Sequence, residues 1–68
     1  MEKLFCERLK AIRIENGLSQ KQTAEKLELS STCYAGYEQG YRQPDLKTLK
    51  KICLLFEISA DFLLGIEN

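Results

Sequence analysis

The chain has 68 residues, 44% of them hydrophobic and 29% charged, with one proline and ten basic residues balanced by ten acidic ones. That length holds one compact domain, spanning residues 1–68, and that composition excludes a disordered or fibrous chain. The longest apolar run, Ile52–Phe56, falls far short of the roughly 20 residues that cross a bilayer, which excludes a transmembrane helix.

At the amino terminus, MEKLFCERLK turns charged before any apolar stretch long enough for a secretion signal, so a cytoplasmic protein is expected. The first helix is predicted from about Glu2 to Glu15, with Phe5, Leu9 and Ile12 on one face and Asn16-Gly17 as its stop. Ser19-Gln20-Lys21-Gln22 has the S-x-x-Q form of a capping box, in which each end satisfies an orphan backbone N–H, and a second helix starts there. It carries Ala24 and Leu27 inward and ends near Glu28. Ser30 then caps a third helix running to about Gln39, before Gly40.

Gln43-Pro44-Asp45 marks a break, after which Asp45 caps a fourth helix with Leu46, Leu49, Ile52, Cys53 and Phe56 at helical spacing. Ser59 caps a last short helix that stops at Gly65, followed by a frayed tail, Ile66-Glu67-Asn68. No run of alternating β-branched residues suggests a strand, so the predicted fold class is all-α: a compact domain of five helices, the last two at residues 45–65.

Chemistry at a site is poorly provided for. Cys6, Cys33 and Cys53 form an odd set without CxxC spacing, and there is no histidine to complete a zinc site, so neither a disulfide framework nor a metal is expected. The absence of histidine also removes the commonest general base, and no activated nucleophile or phosphate-cradling glycine loop is visible. An enzyme is not expected, nor any cofactor.

Two short helices joined by a tight turn can present the second of them to the major groove of DNA. The stretch LSQKQTAEKLELSSTCYAGYEQGYRQPDLKTLKKI resembles the lambda-repressor and Cro-like (XRE) helix-turn-helix family. Leu18-Ser19-Gln20, Ala24, Leu27, Ser30, Tyr37-Glu38, Gly40, Arg42, Pro44, Leu46, Leu49 and Ile52 fall at the family's spacing without a gap, and the likeness runs from Phe5 to Gly65. It implies a lambda-repressor-like domain with its helix-turn-helix core at residues 18–40.

The resemblance also assigns roles. Gln20 is expected to reach a DNA phosphate from the start of the second helix. Ser31, Thr32, Ala35 and Gly36 match positions that face base edges in relatives. Tyr41, Arg42 and Gln43 match the segment where the family grips phosphate with backbone amides and polar or basic side chains, Arg42 being the cationic contact. Arg13 and Glu38 match a pair that ties the first helix to the end of the third. Tyr34 and Tyr37 are read as core rather than as base-stacking residues.

Two positions depart from the family. Glu28 stands at a turn where relatives favour glycine because the backbone is left-handed. Gly36 replaces a long polar residue and, within a helix, costs about 1 kcal/mol relative to alanine. Two readings of it stay open at this point: close approach of the backbone to DNA, or drift to a tolerated residue.

Leu54, Leu55, Phe62, Leu63, Leu64 and Ile66 are more apolar residues than two terminal helices need for one buried face. Since relatives dimerise through such surfaces, a homodimer is expected, with Leu54, Phe62 and Ile66 in its interface and double-stranded DNA as partner. The expected function is a sequence-specific transcriptional regulator, a repressor that occupies an operator; with no ligand domain after the motif, no small-molecule ligand is expected. A second reading is a protein-interaction or antitoxin-like module that keeps the fold without strong DNA binding. Zero net charge and small side chains on the third helix favour that alternative.

Overall fold

Five helices and no strand make up residues 3–66, the part of the chain described in the computed structural model: α1 Lys3–Glu15, α2 Gln20–Lys26, α3 Ser31–Gln39, α4 Leu46–Phe56 and α5 Ala60–Leu64. The all-α expectation holds, and the predicted helix limits agree within a residue or two. The expected start at Glu2 and the tail residues Glu67 and Asn68 lie outside the described residues.

Each helix from α2 onward opens on a side-chain cap that satisfies one of the backbone donors left over at a helix start. The Ser19–Gln22 capping box closes in both directions, Gln22 N–H donating to Ser19 Oγ at 3.0 Å and Ser19 N–H to Gln22 Oε1 at 2.8 Å. Ser30 Oγ accepts from Cys33 N–H at 3.1 Å, Asp45 Oδ1 from Thr48 N–H at 2.8 Å, and Ser59 Oγ from Phe62 N–H at 3.1 Å. The Thr48 amide holds the Asp45 carboxyl below the usual carboxylate range.

These short helices are stabilised mainly by what they bury. Phe5 and Leu9 of α1, Ala24 of α2, Leu27 at its end, Tyr34 and Tyr37 of α3, Ile52 and Phe56 of α4 and Leu63 of α5 form one core. Burying a leucine, isoleucine or phenylalanine side chain is worth roughly 1.5–3 kcal/mol, and Phe5, Leu9, Leu27, Ile52, Phe56 and Leu63 supply most of what holds a chain of this size. Helix α1 packs on α3 and α5, α2 on α3, and α4 on α5. The two tyrosine rings meet edge to face, their centroids 6.3 Å apart.

Two apolar residues differ from the sequence reading. Leu46 shares a helical face with Leu49 and Phe56 yet is 84% exposed, because it occupies the first turn of α4, past the edge of the packed core. Leu63 is wholly buried and belongs to the core rather than to an apolar surplus.

The α2–α3 turn runs through Glu28, which takes up the left-handed conformation at φ 61°. The fold imposes this, since Leu29 N–H closes back onto Ala24 O at 2.8 Å and fixes the turn. A side chain costs about 1–2 kcal/mol in that conformation. The contact of Glu28 with Lys51, at 3.8 Å and well exposed, offsets little of it. Glu28→Gly should therefore raise stability by about 0.5–1 kcal/mol once the greater freedom of glycine in the unfolded chain is subtracted. Urea unfolding would show this as a higher midpoint at unchanged slope.

No helix among the described residues is long and apolar enough to cross a membrane.

Candidate nucleic-acid interface

The α2–α3 pair forms a helix-turn-helix, with α3 entered through the Ser30 cap. Ser31 and Thr32 are exposed in the first turn of α3, and Ala35 lies half-buried one turn further on. Cys33 sits between them, half-buried, with its thiol 3.5 Å from the Tyr37 hydroxyl. Burial pushes the Tyr37 phenol up to about 12, so it remains a neutral partner.

The orientation of this pair is set by one carboxylate. Glu38, whose side chain is 3% exposed, accepts from Arg13 through Nε at 2.6 Å and Nη2 at 3.2 Å, and from Gln20 Nε2 at 3.1 Å. Arg13 also donates from Nη1 to Leu18 O at 2.8 Å. Side chains from α1, the entry to α2 and the last turn of α3 thus converge on a single group. Burial alone would push the Glu38 carboxyl up. The hydrogen bonds from Arg13 and the Gln20 amide, with the Tyr34 hydroxyl close by, outweigh it and hold the group below its usual value.

Tyr34 is wholly buried with its hydroxyl close to Glu38 and Arg13, though no hydrogen bond of ordinary geometry reaches that oxygen. Its phenol is pushed well up, first by burial and then by the neighbouring Glu38. Gln20, matched by sequence to a phosphate contact, has its amide engaged inside the molecule by Glu38. The sequence signal for this was the i, i+18 pairing of Gln20 with Glu38, which no local pattern exposes.

The far end of α3 is closed by Gly40, left-handed at φ 87°. Gly36 O accepts from the N–H groups of Gly40, of Tyr41 at 2.9 Å and of Arg42 at 3.2 Å. Those Tyr41 and Arg42 amides are therefore committed to the helix cap, which leaves their side chains as the groups able to meet a phosphate. Both side chains are exposed, as is Gln43. Gly36 is buried, with the stem of Arg42 lying over it, so its backbone is not an open surface.

Local charge is more favourable than the neutral total. Within residues 18–43 the exposed charges are Lys21, Lys26 and Arg42 against Glu25 and Glu28, three bases to two acids, because Glu38 is buried against Arg13. The structure thus brings Ser31, Thr32, Arg42 and Gln43 to the exposed surface of one motif, whereas Gln20, Arg13 and Glu38 are gathered beneath it.

The apolar residues expected at an interface lie elsewhere. Leu54 is 69% and Ile66 64% exposed, and Phe62 is partly exposed with the Arg8 guanidinium 4.5 Å from its ring centre. Arg8 also donates to the Phe62 carbonyl. Sequence reading missed this clasp, since Arg8 and Phe62 meet only once α1 and α5 are packed together.

A family model described as Helix-turn-helix matches residues 9–63. Among curated relatives, the HTH-type transcriptional regulator ImmR of Bacillus subtilis is 45% identical over 58 residues, covering 85% of this chain and 46% of the relative. The SPbeta prophage-derived HTH-type transcriptional regulator YonR of the same organism is 44% identical, with 90% of this chain and 56% of the relative covered. The HTH-type transcriptional regulator AnsR, also from Bacillus subtilis, is 41% identical, with 91% and 53% covered. The chain spans about half the length of these curated relatives.

Proposed function

The chain belongs to the Helix-turn-helix family, and from that premise we propose that it is a sequence-specific DNA-binding transcriptional regulator, acting as a repressor that occupies an operator. The observation that carries this reading is the presentation of Ser31 and Thr32 at the exposed start of α3, on a helix held in place by Glu38 from beneath. Hydroxyls of this kind can contact base edges, and the thymine methyl can meet Thr32 or the half-buried Ala35. Arg42, Gln43 and the Tyr41 hydroxyl supply phosphate contacts at the other end of α3. With small base-facing side chains, sequence-dependent DNA shape and bridging water carry part of the specificity.

Leu54, Phe62 and Ile66 would join two copies into a symmetric dimer, placing two recognition helices on half-sites roughly 34 Å apart. The second reading, an interaction module that binds protein rather than DNA, draws on the zero net charge and the same exposed apolar residues.

Salt separates the two. Binding to a duplex selected from a random library should weaken linearly in log–log form as salt rises, because phosphate contacts release condensed counterions. The complex should sediment with two copies of the chain per duplex. A flat salt response would favour the interaction module, and a monomer both free at tens of micromolar and on DNA would overturn the dimer.

A further inference from the structure

Residue 36 lies on the recognition helix where the sequence lacks a side chain, and Arg42 fills that space. A Cβ placed on Gly36 would lie 2.9 Å from Arg42 Cδ, 3.0 Å from Cγ and 3.3 Å from Cβ. These atoms are the stem of the arginine and not its mobile tip. The stem cannot retreat as a unit, because Arg42 N–H is bonded to Gly36 O at 3.2 Å and Tyr41 N–H to the same oxygen at 2.9 Å. One glycine thus anchors the backbone of Arg42 through its carbonyl and the arginine side chain through its missing Cβ.

We propose that Gly36 is a positioning residue that seats Arg42 across α3, so that Arg42 supplies the long polar contact to DNA that position 36 does not. This rests on the DNA-binding reading above and adds to it the residue that aims the cation. Adding a methyl group at position 36 forces Arg42 Cγ and Cδ into another rotamer and carries the guanidinium away from its place. Alanine is otherwise the better helix former, so the substitution separates aim from folding. A buried glycine kept for helix packing alone would show no dependence on Arg42.

The test is a double-mutant cycle in the full chain with Gly36→Ala, Arg42→Ala and both, binding a fluorescent duplex selected from a random library by the wild-type protein. Gly36→Ala should weaken binding about tenfold and lower the salt slope by about one, as Arg42→Ala does. Gly36→Ala should change nothing further once Arg42 is alanine. Wild-type affinity and slope in Gly36→Ala, or losses that multiply independently, would overturn the proposal. Arg42→Lys should keep the salt slope, since the charge remains.

Nuclear Overhauser contacts between Gly36 Hα and the Arg42 stem in the free wild-type protein give a reading that needs neither DNA nor a folded variant. They should be present, and their absence overturns the seating. If the wild-type protein selects no duplex while those contacts are seen, the DNA-binding reading fails and the seating stands.

Discussion

Arg13→Ala should destabilise the domain by about 3 kcal/mol, a large share of what a protein of this size has. The substitution leaves Glu38 at 3% exposure without its two guanidinium bonds, and only Gln20 and the nearby Tyr34 remain to compensate a buried charge. Glu38→Ala should cost a similar amount, since Arg13 is 11% exposed and would keep only its bond to Leu18 O. The pair is therefore of a different class from Lys3–Glu7 on the surface of α1, whose side chains are 90% and 60% exposed and whose loss should be hard to measure. Urea unfolding of each single variant checks this, and a loss below about 1 kcal/mol would place Arg13 and Glu38 among ordinary surface pairs.

The same pair predicts an acid dependence. The folded-state carboxyl of Glu38 lies below its ordinary value of 4.5, so the unfolded chain takes up the proton first as pH falls. The stabilisation is complete above 4.5 and disappears as pH drops through the lower folded value. Wild type should accordingly lose stability in acid faster than Glu38→Ala, and the two curves should draw together there. Parallel curves across that window would show that Glu38 does not carry the acid response. Because Glu38 links α1, α2 and α3, its protonation should also loosen the helix-turn-helix before the remaining core unfolds.

The helices were legible because their signals are local. A serine or aspartate three residues ahead of the amide it accepts from, or a serine–glutamine box, is written within four residues of sequence, and all four caps form. The inward faces followed from helical period, with Phe5, Leu9, Ala24, Leu27 and Ile52 buried as the pattern required. Period fixes a direction but not how far the neighbouring helices reach, and Leu46 shows the difference.

The site was less legible because its determinants are pairwise and distant. Gln20 can be recognised as polar at a helix start. That its amide turns inward depends on a carboxylate eighteen positions away. Gly36 offers no side chain from which to infer a role, and the reason for it is the Arg42 stem folding back from the next segment. Neither relation has a period or a short motif, so only packing of the whole chain reveals them.

Leu63→Ala should cost about 3 kcal/mol and open α5 selectively. The side chain is wholly buried, and shortening it removes apolar contact and leaves a cavity in a core with little else to fill it. Helix α5 has five residues, too few to be helical on its own, so its structure depends on this anchor. Other ties include the packing of Leu64 on the core, the Ser59 cap, the left-handed Gly65 beside the Leu4 side chain, and the clasp of Arg8 on Phe62. The Glu38 bonds to Arg13 and Gln20 join α1, α2 and α3 without α5, so the orientation of α2 against α3 should survive. Amides of Phe62 and Leu63 should then exchange through a local opening, while those of α3 still require global unfolding. Arg13→Ala should give the reverse order, a loosened helix-turn-helix with α5 still docked. Equal exchange rates for α3 and α5 in Leu63→Ala would show that the two ends of the domain unfold as one unit.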